Sequence, residues 1–242
     1  MRVSLFLPCL VDQFSPTTAR SVVRVLRHVG VEVDWPREQT CCGQPAFNAG
    51  YRRAAARLAE RFLALFAAAD AVVAPSGSCV AMVRHHFREL DLSAAARAQL
   101  RRLDGRVYEF TEFLTEVLGK STLGGRWRAR VAYHPACHLL RGLGVDEGPR
   151  RLLRGIAELE LVELPEADTC CGFGGAFAVK FPELSAAMAE RKCRALERLG
   201  VEHVVSADSS CLMQLGGYLS RHGMAATPLH IADLLARSLG LA

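Results

Sequence analysis

The chain has 242 residues, 50% of them hydrophobic and 23% charged, with a formal net charge of +5. That composition fits one large or two medium globular domains and excludes collagen-like and disordered classes. The arginines behind the net charge are scattered along helical segments beside glutamates and form no basic block, so no nucleic-acid partner is expected.

In chain order, the apolar run Val3–Pro8 reads as a first strand delivering Cys9. Val22, Val25, Leu26 and Val29 recur at helical spacing, which predicts a helix from Ser15 or Thr17 to about Val29, with Gly30 as its stop. A short strand, Val31–Asp34, and the Pro36 turn lead to Cys41 and Cys42. A second helix is expected over Tyr51–Ala69, then a strand over Ala71–Ala74 that leads to Cys79. Residues 80–105 read as helical and Tyr108–Leu118 as one more helix. The loop-like stretch Lys120–Gly125 places a boundary near residue 122, giving domains 1–122 and 123–242. The second half repeats the order: a strand to Tyr133, Cys137, a helix near 147–155, a strand Leu159–Leu164, the Cys170-Cys171-Gly172 loop, a helix Glu183–Leu199, a strand His203–Ser206, Cys211, and helices to the end. Such alternation predicts an α/β fold of two tandem, pseudo-symmetric βαβ domains, Rossmann-like with parallel sheets.

The start, Val3–Val11, is interrupted by Pro8 and Cys9 and reads as a strand, not a signal segment. No uninterrupted apolar run reaches the ~18 residues of a membrane span. The expectation is therefore a cytoplasmic protein without a membrane span, where thiols stay reduced. Its nine cysteines then point to metal binding or redox chemistry, not structural disulfides.

Each half carries the same pattern, Cys9, Cys41, Cys42, Cys79 and Cys137, Cys170, Cys171, Cys211, with the ligand loops at the carboxyl ends of parallel strands, where such sheets bind ligands. Adjacent thiolates strain a single tetrahedral zinc but suit a multinuclear iron–sulfur cluster, in which neighbours bind different irons. Zinc in one half and a metal-free vicinal thiol pair are the alternatives. Gly172, Gly174 and Gly175 would let backbone N–H groups approach a cluster and tune it. His134 and His138 bracket Cys137, and either could donate a hydrogen bond to a bound group; His138 is the one put forward as cofactor-binding. Cys193 lies on a helical apolar stripe with Ala189 and Leu196 and reads as a packing residue.

At Thr40–Ala46, Ser76–Cys79, His134–Cys137, Asp168–Gly175 and Ala207–Met213 the chain resembles the cysteine-rich CCG-domain family. That family includes the B subunit of heterodisulfide reductase, the iron–sulfur subunit of glycolate oxidase and the lactate-utilisation protein A group; the likeness to the last covers essentially the whole chain. The resemblance implies an iron–sulfur electron-transfer subunit, with clusters of the four-iron type, in a multi-protein system oxidising L-lactate to pyruvate. It implies as partners other lactate-utilisation iron–sulfur or dehydrogenase subunits. A zinc-stabilised interaction module and a metal-free thiol–disulfide oxidoreductase are the alternatives. The heterodisulfide reductase motif ends in Cys-x-x-Cys, whereas Ser76 and Asp208 stand in the first of those positions here, leaving four thiols per half and Asp208 as a candidate oxygen ligand. Neither half has a GxGxxG fingerprint, so any hydride chemistry is expected on a partner and not on this chain alone.

Overall fold

The computed structural model describes residues 1–241. In the first half, β1 (Arg2–Leu5) leads to α1 (Cys9–Phe14), α2 (Pro16–His28) and β2 (Glu32–Asp34). Then follow α3 (Gln44–Asn48), α4 (Arg52–Phe66), β3 (Val72–Ala74), α5 (Gly77–Arg84), α6 (Ala94–Arg102), β4 (Val107–Glu109) and α7 (Phe110–Glu112), which runs on as a π-helical turn to Val117. The second half has β5 (Arg126–Tyr133), a π-helical turn over His138–Gly142, α8 (Glu147–Arg154) and β6 (Ala157–Val162). It continues with α9 (Ala176–Lys180), α10 (Pro182–Leu199), β7 (His203–Ser206), α11 (Ser209–Arg221), β8 (Thr227–His230) and α12 (Ile231–Ser238).

The fold is α/β with two four-stranded parallel sheets, ordered β2-β1-β3-β4 and β6-β5-β7-β8. The inner strands β3 and β7 are wholly or nearly buried, as parallel strands covered by helices on both faces must be. One face of the first sheet packs Phe6, Phe62, Phe66 and Phe87 under α4. The other face, with Val25, Leu26 and Val73, runs without a break into the core around Val131, Leu153 and Leu234.

The halves are related by an approximate twofold. α2 packs on α12, and the turn after α7 packs on α8, which are the same contact made from each side. Near the axis Ser76 and Asp208, each three residues before the last cysteine of its set, pair as an isolated antiparallel bridge. The two halves therefore meet at equivalent turns, and the carboxyl ends of both sheets point towards one seam.

The structure corrects three expectations about elements. Val107–Glu109 is a strand and not the start of a helix, because Val107 and Glu109 are buried in parallel register with Val72 and Ala74 of β3. Thr227–His230 is likewise a strand, paired with β7. Residues 80–105 are not one helix: α5 ends at Arg84, Leu90 and Leu92 tuck into the core, and Ser93 restarts the chain as the cap of α6 by accepting from Ala96 N at 3.3 Å.

Glu109 makes a capping box with Glu112 at the end of β4, its Oε2 accepting from Thr111 N at 2.7 Å and Glu112 N at 3.2 Å. Burial pushes its carboxyl up to about 8 from 4.5, against those donors. Below pH 4.5 the group is protonated in folded and unfolded chain alike. As pH rises towards 8 the unfolded chain has lost a proton that the folded chain retains, so stability falls across that window by on the order of a few kcal/mol. Glu109→Gln is expected to flatten this decline in denaturant titrations from pH 5 to 9; parallel pH profiles for variant and parent would refute it.

Candidate metal centre

Cys9 opens α1 directly after β1, and Cys41 and Cys42 lie in the loop before α3. Cys79 sits in the first turn of α5, behind the N-cap Ser76, whose Oγ accepts from Cys79 N at 3.3 Å. The second half repeats the arrangement: Cys137 follows β5, Cys170 and Cys171 lie in the loop before α9, and Cys211 is in the first turn of α11, whose N-cap is Asp208. Helix N-termini present a partial positive charge, so α5 and α11 offer anion-favouring ends to Cys79 and Cys211.

The sulfurs within each set are close. Cys9 Sγ is 3.7 Å from Cys41 Sγ, and Cys42 Sγ is 3.4 Å from Cys79 Sγ. In the second set Cys170 lies beside Cys137 and Cys171, and Cys171 beside Cys211. Backbone N–H groups come to sulfur in both loops, Gly43 N to Cys41 Sγ at 3.4 Å and Gly172 N to Cys170 Sγ at 3.3 Å. Gly43 and Gly172 can make these turns because they adopt φ of 88° and 90°.

The electrostatics of each set depend on its crowding. Hydrogen bonds from Cys42 and Cys9 push the Cys41 thiol down to about 3, and those from Cys137 and Cys171 push Cys170 down to about 2. Their neighbours Cys9, Cys42, Cys137 and Cys171 are pushed up, first by hydrogen bonding to that thiolate and then by burial. Four thiolates this close repel one another unless cations sit among them, so the donor set fits a bound metal or cluster.

Both sets open on a single cavity of about 250 Å³ at the seam, lined by all eight of these cysteines with Asp208, His138, Gly174 and Gly175. Asp208 reaches the cavity with its oxygens already engaged: Oδ2 accepts from Ser78 N at 2.9 Å and Ser76 Oγ at 3.2 Å, and Oδ1 from Ser210 Oγ at 2.5 Å and Ser210 N at 3.2 Å. The geometry gives it the work of capping α11 and tying the halves together. His138 Nδ1 is 3.7 Å from Cys137 Sγ. Gly172 is packed against α10, so Gly174 and Gly175 are the glycines of this loop that face the cavity. Lys180, close in sequence to this loop, is exposed and does not line the cavity. Cys193 is fully buried beneath α11, and burial pushes its thiol up to about 12.

The sequence reading missed Lys192. Flanked by Arg191 and Arg194, it reads as solvated helix surface, yet only 3% of it is exposed and its Nζ donates to Glu166 O at 2.9 Å and Ala167 O at 3.3 Å. Its one hint in the sequence is position, a single turn beyond Met188 and Ala189 on the inner side of α10. His134 is also buried, at 1% exposure, and both of its ring nitrogens lack a hydrogen-bond partner. Burial pushes that imidazole down to about 3, so it is neutral, and its ligand nitrogen lies within 4.8 Å of the sulfurs of Cys171 and Cys211.

The CCG family model, described as a cysteine-rich domain, matches residues 3–84 and again 131–216, the two stretches that carry the two thiol sets. "Lactate utilization protein A 1" of Bacillus mycoides is 43% identical over 237 residues, which is 97% of this chain and 96% of that protein. The chain belongs to the lactate utilization protein A group of the CCG family. A second relative in the group, "Lactate utilization protein A" of a Geobacillus species, is 40% identical over 235 residues, 97% of this chain and 99% of its own. The family's fold extends to more distant proteins: a crystal structure of a hypothetical protein from Helicobacter pylori has a TM-score of 0.64 at 10% identity. It matches 99% of this chain, which spans about half (49%) of the Helicobacter protein. No helix among the described residues is long and apolar enough to cross a membrane.

Proposed function

We propose that this chain is an iron–sulfur electron-transfer subunit of a lactate-oxidising system, made of two CCG domains meeting near residue 122. The observation that carries the reading is the convergence of two four-thiol sets on one cavity, where two redox groups would lie side by side. Adjacent cysteines in each loop favour a multinuclear cluster over a single zinc ion. When bound, such clusters supply one-electron transfer. The chain's own contribution is to hold sulfur at the N-termini of α5 and α11, to donate Gly43 and Gly172 N–H groups to it, and to place the buried Lys192 amine behind the second set.

Lactate utilisation comes from the named relatives. Removing a hydride equivalent from a 2-hydroxy acid takes two electrons and a group able to accept them together, and the sequence contains no nicotinamide or flavin fingerprint. Partner subunits of the same system supply that chemistry. An exposed apolar strip directly beyond the second cysteine loop, Val179, Phe181 and Leu184, is where we place their docking.

The test is an anaerobic preparation analysed for iron, sulfide and zinc, then assayed with L-lactate and an artificial acceptor, with and without the partner proteins. Iron and sulfide in both halves, and turnover only with partners, are expected. Zinc without sulfide, or robust turnover by this chain alone, would overturn the reading.

A further inference from the structure

Resting on the metal-binding reading of the thiol sets, we propose that His134 is a nitrogen ligand of the second-half centre, sharing one metal ion with Cys171 and Cys211, whereas the first-half centre is held by sulfur alone.

The twofold supplies an internal control. His134 stands three residues before Cys137, as Phe6 stands three before Cys9, and the backbones match: His134 N donates to Val205 O at 2.7 Å and Phe6 N to Val73 O at 2.9 Å. A Cβ on Gly172 would meet Ser185 and Met188, and one on Gly43 would meet Ala55 and Leu58, which aligns α10 with α4. Seven residues beyond Ser185 is Lys192, and seven beyond Ala55 is Phe62. In the first half Phe6 and Phe62 make an edge-to-face pair with ring centroids 5.0 Å apart, an apolar wall behind the thiols. In the second half the same two positions hold a histidine and a lysine, both buried.

The fold at this place is thus satisfied by two phenylalanines, and replacing them with polar groups costs stability unless those groups find partners. Lys192 has them, in the carbonyls of Glu166 and Ala167. His134 has none on either ring nitrogen, which is rare for a buried imidazole. Its nitrogen and the sulfurs of Cys171 and Cys211, all buried, lie within 4.8 Å of one another. Ligand atoms of one tetrahedral centre, with bonds of ~2.0 Å to nitrogen and ~2.3 Å to sulfur, are separated by about 3.5–3.8 Å, so modest side-chain motion closes the set. A bound metal is the partner the imidazole lacks.

Pulsed electron paramagnetic resonance and metal-edge X-ray absorption on the anaerobically loaded full chain, grown with natural-abundance or 15N-labelled histidine, test this. Expected are a histidine nitrogen coupling and a short metal–nitrogen distance that vanish in His134→Phe and persist in His138→Phe. His134→Gln serves if the phenylalanine variant misfolds. Coupling that is absent from the parent chain, survives in the His134 variants, or disappears only in His138→Phe overturns the inference while leaving a metal-loaded protein. A chain that binds metal in neither half overturns both this inference and the reading beneath it.

Discussion

Cys171→Ser is expected to strip more metal from the chain, and to bleach its visible absorption further, than Cys42→Ser. Serine offers a hydroxyl that stays protonated where thiolate is needed, so either variant loses a ligand from a crowded set. The difference lies behind the sulfurs. Cys42 shares its core cluster with the Phe6–Phe62 pair, which cannot offset the charge of a thiolate cluster, whereas Cys171 lies near the Lys192 amine and the unpartnered His134. The close backbone donor to sulfur is nearly the same in both loops, at 3.4 Å and 3.3 Å, so it is not what separates them. Under a chelator the parent chain should release metal in two phases, the slow one, from the more fully loaded second-half centre, being the larger, with the slow phase missing in Cys171→Ser and the fast phase missing in Cys42→Ser. Equal losses, or the slow phase disappearing with Cys42, would refute the ranking.

Gly172→Ala is expected to be the most damaging glycine substitution in the cysteine loops. Gly172 has φ of 90°, and a Cβ there would sit 2.5 Å from the carbonyl oxygen of Ser185 and 3.0 Å from Met188 Cβ. Both obstacles belong to α10, which is also tied to the loop by Ser185 Oγ donating to Gly172 O at 2.8 Å, so the loop must leave the helix. The left-handed backbone alone costs about 1–2 kcal/mol for a residue with a Cβ, and the clash with main chain raises the total to on the order of 3 kcal/mol or more. Gly43→Ala meets Ala55 O at 3.3 Å, a milder contact, and Gly175→Ala at φ of 62° meets no atom within 4 Å. Denaturant midpoints should therefore fall in the order Gly172, Gly43, Gly175, with the largest drop first. A Gly172→Ala protein as stable as Gly175→Ala would show that the loop does not depend on its seat against α10.

The sequence by itself determined the duplication, the α/β alternation and the membership of the two thiol sets, because these are written in local spacing: a strand, then a cysteine, then a helix, twice over. It determined Cys193 as a packing residue for the same reason, since a helical stripe is a local pattern. The fourth strand of each sheet was not legible, because β4 is three residues long and β8 four, and both run directly into helices; only pairing with β3 and β7 makes them strands. That the two thiol sets share one cavity was decided by the tertiary structure, through the Ser76–Asp208 bridge between turns that lie far apart in the chain. The seating of Lys192 and the hydrogen bonding of Asp208 were decided there too. A lysine among arginines carries only its helical position as a sign of burial until α10 is seated against the cysteine loop, and the hydrogen bonds of the Asp208 carboxylate to Ser76, Ser78 and Ser210 exist only in the folded chain. Local patterns encode which elements form and which atoms are available; which of those atoms face one another depends on contacts between halves, and no spacing along the chain records them.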